Sequence, residues 1–303
     1  MPYPSPVTYP SPTLFPGFRS GQEGLQVALN ADFILGATDA YGVRWSLTTF
    51  DGWDGSPSPT LELMQRARGH GATGSESFMT PRIMTLGGLI HAPSVEALDD
   101  AFDRLNAAIK LEPFEILVLQ KRLIRNVTVA RQGEVIPTRH SDKLGAYSVL
   151  VSARDPRKFG DLITASTRLP FSTGGLTFPI TFPVTFTGVS GTGRVSINNT
   201  GNVEAPVWLR IEGPLPAGGH AVTHLGKGRT LTFGTALALG AGEFLTVDMD
   251  RREVLAQGQA PRSGYVTNRG WFSLDPGVNE IAFSSQNYSE TANLTVSTKP
   301  AWS

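Results

Sequence analysis

A chain of 303 residues is long enough for two domains of ordinary size. Lys+Arg and Asp+Glu both number 26, so the formal net charge is zero, which argues against a general nucleic-acid or membrane-surface binder, since either needs a basic excess. There is no cysteine, which excludes disulfides, thiolate metal sites and a Cys nucleophile. The 33 glycines and 22 prolines fit many strands joined by many turns, and a hydrophobic content of 40% suffices for real cores. No apolar run is long enough to cross a bilayer, and no basic segment followed by an apolar core marks a secretory signal.

Residues 1–24 hold six prolines among Ser, Thr and Tyr, a composition that suits neither a helix nor a central strand. Two readings stay open here, a flexible tail and an extended arm lying on a neighbouring subunit. Residues 25–35 and 41–50 read as strands, the second with Val43, Trp45 and Leu47 on one face. The segment 51–80 is long, rich in turn residues and weakly periodic. It nevertheless carries Trp53, Met64, Phe78 and Met79, together with Arg66, Arg68 and His70. Residues 82–91 read as a strand that leads into the one firm helix, 94–110. Ser94 is its cap, Glu96, Asp99 and Asp100 favour its N-terminal end, and Val95, Leu98, Ala101, Phe102, Leu105, Ala108 and Ile109 form its apolar stripe. Residues 114–120 and 122–130 predict a hairpin, and 145–153 a further strand with Tyr147, Val149 and Val151 on one face. The Asp155-Pro156 junction suggests a boundary, dividing the chain into a Pro-rich arm 1–24, a domain 25–157 and a domain 158–303.

The second half shows no helix signal. Short alternating strands at regular spacing predict an all-β sandwich or barrel. The clearest alternation is residues 177–187, where Pro179 and Pro183 predict an edge or bulged strand. Further pairs keep the same period: Val195 and Ile197; Val207, Leu209 and Ile211; Leu231 and Phe233; Phe272 and Leu274; Ile281 and Phe283; Leu294 and Val296.

Chemistry is sparse. His220 and His224 are four apart but lie in a Gly-rich, β-like context, with no carboxylate at a supporting distance for a metal. Residues 226–230 lack the P-loop spacing, and no Ser sits in a nucleophile elbow. Asp51 with Asp54, and Asp248 with Asp250, read as turn or solvated-face residues rather than a catalytic pair. The expectation is no catalytic residue, no cofactor and no metal.

Several segments, in order and spacing, carry a resemblance over nearly the whole chain beyond the Pro-rich start. They are Val43-Arg44-Trp45 before Gly52-Trp53-Asp54-Gly55, Arg66-Ala67-Arg68-Gly69-His70-Gly71 in the long loop, and Pro81-Arg82-Ile83-Met84-Thr85-Leu86-Gly87-Gly88 before the helix. Tyr147 to Ala153 running into Asp155-Pro156-Arg157, Gly174-Gly175-Leu176-Thr177-Phe178-Pro179, Asn199-Thr200-Gly201-Asn202-Val203-Glu204-Ala205-Pro206 and Trp271-Phe272-Ser273-Leu274-Asp275-Pro276-Gly277-Val278-Asn279 follow. In these the chain resembles the distal tail (Dit-like) proteins of siphoviruses, phages with long, non-contractile tails. The resemblance implies a mainly β chain: a two-sheet, tail-tube-like, ring-forming domain with one helix and a long loop that reaches a neighbour, then a galectin-like β-sandwich. It implies a virion protein made in the host bacterial cytoplasm, six copies of which form a ring that joins the tail tube to baseplate hub and receptor-binding proteins. Trp53, Arg66, Arg68 and His70 are then the expected subunit-contact residues. The alternative is a carbohydrate-binding adhesion module, with Trp208 and Trp271 as candidate platforms.

Overall fold

A computed structural model describes residues 24–30, 33–74, 76–120, 123–173 and 189–303. The Pro-rich stretch 1–23 and the alternating run at 177–187 lie outside these residues. The protein is mainly β, with one α-helix among the described residues, and divides into two compact units. One unit takes the described residues up to Gly160, with Trp302 and Ser303, and the other takes Asp161–Ala301.

In the first unit an antiparallel sheet runs in the order Ile34–Leu35, Gln26–Ala28, Phe114–Gln120, Leu123–Arg139, Leu144–Ala153, Arg82–His91, Arg44–Asp51. The 17-residue strand Leu123–Arg139 is its spine. Its first part pairs with Phe114–Gln120 and its second with Leu144–Ala153, the change of partner falling at an irregularity between Arg131 and Val135. One strand thereby serves two sheet halves, and it runs well past the end expected at residue 130. Residues 25–35, expected as one strand, are a small hairpin: Val27 pairs with Leu35, and the Leu29 amide closes the turn on the Phe33 carbonyl.

The helix Val95–Ala108 covers the sheet as its stripe requires. Leu98, Ala101, Leu105 and Ala108 are buried, and the Ser94 hydroxyl accepts from the Ala97 amide at 3.2 Å. Each fully buried Leu contributes roughly 1.5–3 kcal/mol, so packing rather than propensity holds this helix. Trp45 is buried against Phe33 and Tyr147, and its Nε1 donates to Asp39 at 3.0 Å. Burial opposes ionisation of Asp39. The hydrogen bonds from Trp45, Arg104 and the Val43 amide outweigh it and hold the carboxyl below its usual range. Across the sheet the Tyr147 hydroxyl donates to the Ser46 carbonyl at 3.1 Å, and desolvation pushes its pKa up. This packing requires Gly88, because a Cβ there would meet the Ser46 oxygen at 1.8 Å.

The second unit is built mainly from two antiparallel sheets, beside the short pair Phe171–Thr173 and Val189–Gly191. One runs Ile163–Arg168, Asn293–Thr298, Val207–Glu212, Phe244–Asp248, Glu253–Ala256, Ala260–Pro261, and the other Arg194–Asn199, Gly277–Ser285, His220–His224, Arg229–Phe233, Val266–Arg269. The alternating residues named from sequence supply the core: Leu209, Ile211, Leu294 and Val296 from one sheet, Val195, Phe233, Ile281 and Phe283 from the other, all buried. Phe272 and Leu274 are buried too, but they belong to a connection that bridges to Ala205 rather than to a strand.

Candidate functional site

Residues 51–80 are not an irregular loop but an extended hairpin arm. Pro59–Thr60 pairs with Phe78–Met79, Leu63–Gln65 pairs with Ala72–Gly74, and the Arg66 amide closes the tip on the Gly71 carbonyl at 3.2 Å. Gly69 and Gly71 at the tip have φ of +120° and +95°, a region other residues rarely adopt. Arg66, Arg68 and His70 therefore sit together at the tip, all exposed. Leu61, Leu63, Met64, Phe78 and Met79 line the arm and are 42–77% exposed. Leu61 and Leu63 lie beside Gly74, where a Cβ would come 3.6 and 3.2 Å from their methyl groups. A two-stranded ribbon with so few paired residues is at best marginal alone in water, and its apolar side chains find no cover within the first unit.

Trp53 does not belong to this exposed set. It was expected at a subunit contact, yet it is 1% exposed and fills the core of its own unit. Its ring stacks on Phe50 at 5.3 Å, its Nε1 donates to Gln120 Oε1 at 3.3 Å, and the Lys158 ammonium lies 5.3 Å from its centroid. The turn beginning at Gly52 bends the chain inward before the arm leaves; Gly52 has φ +82°, and a Cβ there would lie 2.0 Å from the Ile83 oxygen.

Arg82 pins that root. Its Nη1 donates to the carbonyls of Gly52 at 2.7 Å, Trp53 at 3.1 Å and Gly55 at 2.6 Å, and its Nε to Pro156 at 2.8 Å. Lys158 adds a bond from Nζ to the Trp53 carbonyl at 2.9 Å. The segment 155–159 thus closes against the arm root inside the first unit, and Lys158–Phe159 pairs with the long strand at Asn126. Sequence reasoning missed Arg82 and Lys158, because nothing local marks a cation whose acceptors are backbone oxygens far along the chain.

The other candidates named from sequence are spread over the second unit. His224 and His220 are both on a strand, not a helix. His224 Nδ1 accepts from the Lys227 amide at 3.1 Å, so its Nε2 is left to donate to Asn279 Oδ1 at 2.9 Å. His220 stacks on Phe233, and neither of its ring nitrogens has a partner. Lys227, in the Gly-rich turn, pairs with Glu204 and Asp275 at 2.8 and 2.9 Å. Trp208 Nε1 donates to Asp248 at 3.1 Å, and Trp271 is half-buried. No group of three or more potential metal ligands occurs among the described residues, and no described helix is long and apolar enough to cross a membrane.

Comparison with known proteins gives this architecture its class. Residues 200–302 match the family model of the siphovirus-type tail component, C-terminal domain. Among solved structures the chain is similar to the Dit protein of phage SPP1, presented as a paradigm of the hub adsorption apparatus in phages infecting Gram-positive bacteria. The TM-score is 0.62 at 11% identity, over 84% of this chain and 92% of that one. It also aligns with the phage P2 baseplate in its activated conformation with Ca, at 11% identity over 90% of this chain and 97% of that one, but a TM-score of 0.47 is too low to carry an argument. No curated protein matches. Residues 200–302 thus carry the sequence pattern of a siphovirus-type tail component, C-terminal domain, and most of the chain's length shares the fold of a Dit protein.

Proposed function

We propose that this chain is a structural virion protein that forms a six-membered ring at the distal end of a long, non-contractile tail. It is made in the host bacterial cytoplasm. The ring joins the tail tube to the baseplate hub and receptor-binding proteins, and the chain has no catalytic role and needs no cofactor. The first unit forms the ring, and the second is the module that meets baseplate partners.

The observation that carries this reading is the arm. An exposed apolar ribbon, pinned at its root by Arg82 and capped by Arg66, Arg68 and His70, suits a repeated head-to-tail contact, in which each copy needs two complementary surfaces. Burying Leu61, Leu63, Met64, Phe78 and Met79 against the next copy supplies the cover that the single chain lacks. Of the four contact residues expected from sequence, Arg66, Arg68 and His70 are exposed at the arm tip and suit this contact, whereas Trp53 is buried in its own unit.

Light scattering coupled to size exclusion tests it. The purified chain is expected to run as a six-subunit species at micromolar concentration, and Leu63→Ser with Met64→Ser to convert it to smaller species with an unchanged circular dichroism spectrum. A monomeric wild type refutes the ring, whereas a double variant that stays six-membered refutes the arm as its main contact.

A further inference from the structure

Two positively charged side chains, Arg82 and Lys158, are more than nine-tenths buried in the first unit, and a third, Arg125, is half-buried beside them. None of the three forms an ion pair among the described residues; they rest instead on carbonyl oxygens and aromatic faces. Arg82 and Lys158 hold the carbonyls of the arm root, Lys158 also lies over Trp53, and the Arg125 guanidinium sits 4.7 Å from the Trp302 ring centroid. Two of their donors have no acceptor, the Nη2 of Arg82 and the Nε of Arg125, although both atoms are shielded from solvent. Buried cations are ordinarily paired, and an orphaned charged donor costs more than a neutral one. Burial, together with the Arg82 and Arg125 charges, drags the Lys158 ammonium down to about 8, with only Asp54 opposing. The Lys158 ammonium thus feels both guanidinium charges, and two hydrogen-bond donors remain unused.

We propose that the root of the arm is an oxyanion-binding site, in which a carboxylate or a small inorganic oxyanion is received by Arg82 Nη2, Arg125 Nε and the Lys158 ammonium. Partly exposed Arg125 marks the side of entry. The bound anion offsets part of the cluster's charge and locks the 52–55 turn, from which the arm departs. The site lies within one unit and does not depend on ring assembly.

Thermal unfolding of the full chain tests it, in sulfate, phosphate or acetate at about 10 mM against chloride at matched ionic strength, which removes general screening. A ligand that binds only the folded state raises Tm by mass action, and a rise of about 2–4 °C is expected for a unit of this size. Arg125→Gln abolishes the rise, and Lys158→Met is the second variant should the first lose its fold. A rise with sulfate and phosphate alone identifies a free inorganic ion as the ligand. A rise with acetate as well identifies a carboxylate, the group a partner's acidic side chain would offer. The proposal is overturned if no oxyanion raises Tm above the chloride value, or if the rise persists undiminished in both variants.

Discussion

Acidification from pH 6.5 towards 4 should weaken the second unit in part through His220. Its side chain is 2% exposed, stacked on Phe233 at 4.6 Å, with both ring nitrogens unpartnered. Desolvation lowers its pKa from 6.5 to about 4. The sign follows from proton counts. Between those values the unfolded chain binds a proton at this position and the folded chain does not, so stability falls as pH falls. The contribution of neutral His220 is intact above about 6.5 and is lost progressively down to about 4. Each pH unit across the window costs about 1.4 kcal/mol, and the full traverse roughly 3 kcal/mol. His220→Phe keeps a flat ring against Phe233 and removes both the titration and the unpartnered nitrogens. Urea unfolding of wild type and variant at a series of pH values measures the effect. The variant should be the more stable at pH 7 by about 1 kcal/mol, with the gap widening by roughly 3 kcal/mol toward pH 4. Parallel pH profiles for the two proteins would falsify the assignment, as would an NMR titration placing the His220 ring near its ordinary value.

Three further outcomes follow from packing. Leu105→Ala removes a fully buried helix side chain and should cost 2–5 kcal/mol in urea unfolding, about the range for such cavities. Trp53→Ala should behave as a core truncation, lowering stability by about 3–5 kcal/mol; a variant of unchanged Tm that merely dissociates would return Trp53 to the subunit contact. Gly88→Ala drives a methyl into the Ser46 carbonyl and so should leave little folded protein by circular dichroism, whereas Gly55→Ala, with open space at its Cβ, should fold normally.

The sequence was most legible where side chains alternate against one core. Val207, Leu209 and Ile211 could be placed from their spacing alone, and the helix from Ser94 and its stripe, because a buried face of regular period is written locally. Legibility failed where the deciding partner is distant. Trp53 stands among Asp, Gly and Ser and looks like a turn residue; Gln120, Phe50 and Lys158 make it core. Residues 25–35 read as one strand because the run is mostly apolar, whereas its two ends pair with each other, Val27 with Leu35 and Ala28 with Ile34. Beyond Ala130, exposed Gln132 and Glu134 and the break at Gly133 hid the continuation of the long strand, which owes its existence to pairing with Leu144–Ala153. The arm was hidden for a related reason: its ribbon buries nothing within its own unit and leaves no periodic trace.

The shared strand Leu123–Arg139 also has a mechanical consequence. Its covalent backbone runs through both halves of the sheet, hydrogen-bonded to Phe114–Gln120 along one part and to Leu144–Ala153 along the other. Neither half can be peeled away while the other stays whole, because removing the spine strips a neighbour from each. Tension applied along it is met by two ladders loaded in shear, so the first unit should yield to force as a single cooperative block rather than strand by strand.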